Sequence, residues 1–116
     1  MSSPLIDRLR TCGADIDAAL ERLVGDEVLY ESCLRMFLED PSFPELKAAL
    51  DCGDYSAAFT AAHTIKGVAG NLGLTPVFTA ADALVTPLRH GRPRNADLPT
   101  LYETLMSAMA DIRSLL

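Results

Sequence analysis

The chain reads as an all-α protein, and three observations predict it. Apolar residues recur at helical spacing in every long segment. No segment alternates in the strand manner, and no Asn-Gly or Asp-Gly hairpin turn occurs. Gly, Pro, Asp and Ser residues fall between the periodic segments as starts and stops. Four helices of about three to five turns, joined by short loops, predict an antiparallel up-down four-helix bundle. Two short additional N-terminal helices are expected to cover one end. The 116 residues suit a single domain, residues 1–116, divided into an N-terminal extension (1–14) and a bundle (15–116). Hydrophobic residues make up 49%, enough to bury a core in a domain this small.

The elements follow in order. Ser3-Pro4 starts a helix, with Ser as cap and Pro in the first turn. Leu5, Ile6 and Leu9 give it a short apolar face, and Gly13 ends it. Asp15 or Asp17 caps a second short helix, with Ile16, Leu20 and Leu23 inward and Gly25 as its stop. Asp26 caps a longer helix to about Glu39. Its apolar stripe is Leu29, Tyr30, Cys33, Met36 and Phe37, widened by Leu34. Asp40-Pro41 breaks it, because the residue before a proline avoids the helical region. Ser42-Phe43-Pro44-Glu45 matches a capping box, and the helix it opens, through Leu46, Ala49 and Leu50, ends near Gly53. Thr75-Pro76 starts a later helix with Val77, Phe78, Ala80, Ala81, Leu84 and Leu88 as its apolar residues. Pro87 kinks or ends that helix, since a proline there loses a hydrogen bond and crowds the preceding turn. Gly91-Arg92-Pro93-Arg94-Asn95 is a loop. Asp97 caps the last helix, along which Leu101, Leu105, Ala108, Ile112 and Leu115 recur.

Between these lies residues 54–73, DYSAAFTAAHTIKGVAGNLG, the stretch that carries chemistry. Asp54 caps it and Gly73 is placed to end it in a left-handed turn. At about 100° per residue, Ala58, Ala62, Ile65, Ala69 and Leu72 share one side, with Tyr55 at its margin. His63, Gly67 and Gly70 cluster on a different side, and Lys66 lies between the two groups. Each glycine costs a helix interior about 1 kcal/mol relative to alanine, so a gain from the missing side chains is expected. A tight helix–helix contact inside the bundle would also use glycines. Their face is not the apolar one, which favours clearance for an external partner.

Composition excludes several functions. The net charge of −6 disfavours nucleic acid, whose backbone needs concentrated Lys and Arg. The one basic cluster, Arg89, His90, Arg92 and Arg94, reads as a solvated loop rather than a docking patch. Cys12, Cys33 and Cys52 are far apart and form no C-x-x-C pair, so no metal site is expected, and reduced, mostly buried thiols fit a cytoplasmic protein. The N-terminus lacks the apolar core of a secretory signal, and no run approaches the roughly 20 apolar residues of a membrane span. A soluble monomer with no membrane contact is the expectation.

Neutral imidazole, the main form of an ordinary histidine near pH 7, is a nucleophile able to form covalent intermediates. Lys66, three residues after His63, projects to the same region and offers a positive charge for an anion on the ring. Phosphoryl transfer needs mainly positioning and charge neutralisation. The parts therefore fit a phosphoryl group handed over by another protein. They do not fit an autonomous enzyme: there is no P-loop, no glycine-rich nucleotide loop, no carboxylate cluster for Mg²⁺ and no Ser-His-Asp arrangement. Phe59, Thr60, Thr64 and Asn71 lie near His63 on the helical wheel and join Gly67 and Gly70 as expected partner-binding residues.

The run His63-Thr64-Ile65-Lys66-Gly67, continued by Val68-Ala69-Gly70-Asn71-Leu72-Gly73, resembles the signature of histidine-containing phosphotransfer (HPt) domains, H-x-x-K-G-x-x-x-x-L-G. The turns Gly25-Asp26 and Gly53-Asp54 resemble the family's usual spacing, so the likeness covers roughly residue 15 to the end. The resemblance implies a four-helix bundle with His63 as phosphoacceptor through Nε2, Lys66 holding the phosphoryl group, and Gly67 admitting the partner. It implies exchange with the aspartate of a receiver domain, in a response regulator or hybrid sensor kinase. That receiver would supply Mg²⁺, so this chain would need no cofactor of its own. Two residues depart from the pattern: Val85 stands where many members carry an acidic residue, and Pro87 interrupts the same helix. With no room for a kinase or receiver domain, a stand-alone phosphorelay shuttle without kinase activity is expected. The alternative is an adapter module that docks a receiver or sensor kinase without accepting phosphate.

Overall fold

The computed structural model describes residues 4–11, 13–23, 25–89 and 97–116. Among them the chain forms seven helices and no strand: α1 (Pro4–Thr11), α2 (Ile16–Arg22), α3 (Glu27–Leu38), α4 (Ser42–Cys52), α5 (Tyr55–Asn71), α6 (Thr75–Leu88) and α7 (Leu98–Arg113). The all-α expectation stands. Ser3 as a cap, Cys12 and the segment of His90, Arg92 and Arg94 lie outside the described residues.

Local chemistry sets most of the ends. Asp15, Asp26, Asp54 and Asp97 each accept a hydrogen bond from the backbone N–H three residues on, at 3.4, 3.0, 3.1 and 3.2 Å. Each satisfies one of the donors a helix leaves orphaned at its start, and of the two candidates for α2 it is Asp15 that caps. Gly73, at φ +70°, ends α5 as expected, with Leu74 N–H donating to Ala69 and Gly73 N–H to Gly70. Pro87 sits in the last turn of α6, which ends one residue later.

The capping box at Ser42 does not form. Ser42 is already the first residue of α4 and is buried, and its N–H is taken by the Asp40 carboxylate at 2.8 Å. Pro41 has helical angles, so the chain passes from α3 to α4 through a tight turn. That displacement moves the capping role two residues back.

α4, α5 and α6 follow one another through connections of two and three residues, which place neighbours antiparallel. α3 and α4 together run back along α5. Tyr30, near the start of α3, donates its hydroxyl to the carbonyl of Leu72 at the far end of α5, 2.6 Å away. The two N-terminal helices close that same end, as expected. Asp15 N–H donates to Gly73 at 2.6 Å, and Arg8 reaches the carbonyl of Leu115 beyond α7. Residues 4–11, set apart by sequence as an extension, contribute Leu5, Ile6 and Leu9 to the common core.

α5 lies between α4 and α6. Its inward side is Ala58, Ala61, Ala62, Ile65 and Ala69, all buried. Small side chains there let both neighbours approach closely. On α3 the buried stripe is Tyr30, Leu34, Phe37 and Leu38. Leu29 and Met36, read as inward, are exposed, Met36 at 74%. The core-facing side of α3 is turned toward Leu38, leaving Leu29 and Met36 about a quarter-turn outside it at 100° per residue. Cys33 is half-buried and Cys52 exposed, so the expectation of mostly buried thiols fails for Cys52. No helix is long and apolar enough to cross a membrane among the described residues.

Candidate functional site

The outward side of α5 faces solvent on one flank and α6 on the other. Three contacts set the register between the two helices. Phe78 lies against Gly70, Asp82 pairs with Lys66, and Arg89 stands over the ring of Phe59. Each step back along α5 is matched by an equal step forward along α6, the signature of an antiparallel pair. Phe78, Asp82 and Arg89 form one stripe of α6 at helical spacing.

His63 is exposed and makes no hydrogen bond to a described residue. Its ring lies 5.7 Å from that of Phe59 at a tilt of 33°. The register puts Val85 opposite His63, and Val85 is fully buried. α6 therefore sets an apolar side chain, not a polar one, level with the imidazole.

Lys66 is half-buried. Its ammonium lies 2.9 Å from the Asp82 carboxylate and 5.6 Å from the centroid of the Phe78 ring. The lysine is thus held by a counter-ion and an aromatic face together. Arg89, at the C-cap of α6, stacks on Phe59 at 5.9 Å and makes no ion pair with a described residue. It belongs to the site rather than to a detached loop.

The two glycines part company. A methyl added at Gly67 would meet no described atom within 4 Å, so among the described residues that surface is clear. A methyl at Gly70 would stand 3.3 Å from Cδ2 of Phe78. Gly70 is half-buried beneath that ring, and its missing side chain serves a contact inside the molecule. The expectation that Gly70 clears space for an external partner is corrected on that ground. Phe78, read as a core residue, instead lies at the surface across Gly70, 37% exposed.

The remaining expected residues fall as follows. Thr60 and Thr64 are exposed beside His63, their hydroxyls donating to the carbonyls of Ser56 and Thr60 one turn back. Asn71 is exposed at the end of α5, two turns from His63, and its carbonyl accepts from Arg22 at 3.0 Å. Phe59 is half-buried between His63 and Arg89. No group of three or more His, Cys, Asp or Glu side chains able to hold a metal ion occurs among the described residues.

Sequence reading missed Asp82, Phe78 and Arg89. The signal was present: an acidic residue on an otherwise apolar helix, in line with Phe78 one turn before and Arg89 two turns after. What was missing was the register that lays this stripe against α5. Compared with known families, residues 32–114 match the Hpt domain. No curated protein and no solved structure gave a significant match.

Proposed function

The chain belongs to the Hpt domain family, and from that premise we propose that it is a phosphorelay intermediate carrying its phosphoryl group on His63. Hpt domains are phosphocarrier modules that exchange phosphoryl groups with receiver domains. One observation carries the assignment to His63: its imidazole is exposed and makes no hydrogen bond to a described residue, beside a glycine over which no described atom lies within contact distance.

In this reading the Nε2 lone pair of His63 attacks the phosphorus of a receiver's aspartyl phosphate. The P–O bond to the aspartate breaks and its electron pair returns to the carboxylate, while the ring keeps its Nδ1 proton through the step. Lys66 neutralises charge on the transferred oxygens, and the receiver brings the Mg²⁺. Gly67 lets the receiver's surface come down on the helix, with Thr60 and Thr64 as flanking polar contacts. Electrostatics and positioning supply the catalysis, as phosphoryl transfer requires.

Incubation with a phosphorylated receiver domain is expected to place an acid-labile, alkali-stable label on this chain. His63→Gln is expected to lose all of it while keeping its circular dichroism spectrum. Equal labelling of that variant overturns the assignment. A complex with the receiver that survives His63→Ala, and no transfer from the wild type, would select the adapter reading instead.

A further inference from the structure

Resting on the reading above, we propose that Asp82 is a positioning residue that holds Lys66 in reserve, neutralised over the Phe78 ring, and yields it to the phosphoryl group when that group reaches His63. The motif lysine does not stand free. Its ammonium is 2.9 Å from Asp82 and above Phe78, and Phe78 can lie there because Gly70 has no side chain. Gly70, Phe78, Asp82 and Lys66 thus form one assembly across the α5–α6 contact.

The assembly can open. The Lys66 side chain is 25% exposed and that of Asp82 48%, so the pair is partly solvated and its net worth is modest. A phosphoryl group carries close to two negative charges and three strong acceptor oxygens, against one charge on the carboxylate. The heavier charge draws the lysine away, and a long flexible stem lets the ammonium follow. No other acid of α6 competes near His63, since Val85 fills the facing position.

The test uses phosphoramidate as donor, so no partner's docking enters. His63 Nε2 forms its bond to phosphorus as the P–N bond breaks, the electron pair leaving with ammonia, and the Nδ1 proton then passes to solvent. Removing the competing carboxylate in Asp82→Asn is expected to speed labelling about two- to fivefold, the range of a half-exposed ion pair. Lys66→Ala is expected to slow it. In the Lys66→Ala background, Asp82→Asn is expected to change nothing, because the effect runs through the lysine. Asp82→Glu is expected to restore wild-type behaviour, and Asp82→Ala serves as a second removal should Asp82→Asn fold poorly.

Slower or unchanged labelling in both Asp82→Asn and Asp82→Ala, with the wild type labelled, overturns this proposal alone. So does acceleration that persists without Lys66. A wild-type chain that takes no label from phosphoramidate or from a receiver overturns the functional reading and this proposal with it.

Discussion

Along the outward side of α5, the half around His63 and the half beyond Lys66 are built differently. His63, Thr64 and Gly67 are open to solvent, and the imidazole has no hydrogen-bond partner among the described residues. Beyond them, Lys66 is tied to Asp82, Gly70 is roofed by Phe78, and Arg22 occupies the carbonyls of Gly70 and Asn71. The difference separates two requirements of one site. A group that must meet another protein has to be reachable, whereas a group that must meet charge at a set place has to be held. Two glycines of one motif, three residues apart, serve these opposite ends.

The comparison can be broken at several points. The largest effect is expected at His63, where His63→Gln abolishes labelling at unchanged thermal stability. A side chain placed on the open half comes next. Gly67→Leu is expected to cut transfer from a receiver domain by about tenfold or more, the order of an interface hot spot. Labelling by phosphoramidate, which needs no docking, is expected to hold, and a parallel loss with both donors would mean that Gly67 serves the fold.

On the closed end, Tyr30→Phe removes a buried hydroxyl from the carbonyl of Leu72 and is expected to cost about 1 kcal/mol in urea unfolding. Burial pushes the Tyr30 phenol up. A raised folded value means the contribution is whole below the ordinary tyrosine range, near pH 10. Above it the unfolded chain ionises first, so stability falls as pH rises further. Tyr30→Phe is expected to lose that part of the alkaline sensitivity. An unaltered pH profile would show that the phenol is not shielded.

The smallest effect is the sharpest comparison. Gly67→Ala gains helix propensity at no steric cost and is expected to stabilise by up to about 1 kcal/mol. Gly70→Ala has the same propensity gain, but Phe78 must give by a few tenths of an ångström. It is expected to gain less or to lose. Equal gains at both positions, by thermal melts, would dissolve the distinction between the halves.

Much of this was legible residue by residue. Asp15, Asp26, Asp54 and Asp97 cap where they stand because a cap bonds a donor three residues away. Gly73 takes a left-handed angle for an equally local reason. The inward side of α5 follows from periodicity alone, and so does the exposure of His63 on the opposite flank. Ser42 misled because a competing local donor–acceptor pair, Asp40 with the Ser42 N–H, starts the helix first. Leu29 and Met36 misled because an apolar residue is read as inward until the tilt of its helix is known.

What the order of residues determined by itself was the helical architecture, its caps, and the outward histidine–lysine–glycine pattern on α5. Those depend on contacts within a few residues, which the chain specifies before it packs. The tertiary structure alone decided that Asp82 answers Lys66, that Phe78 covers Gly70 and not Gly67, and that α6 sets the buried Val85, not an acid, level with His63. Those are matters of register between two helices, and register is set by how side chains interlock across the interface.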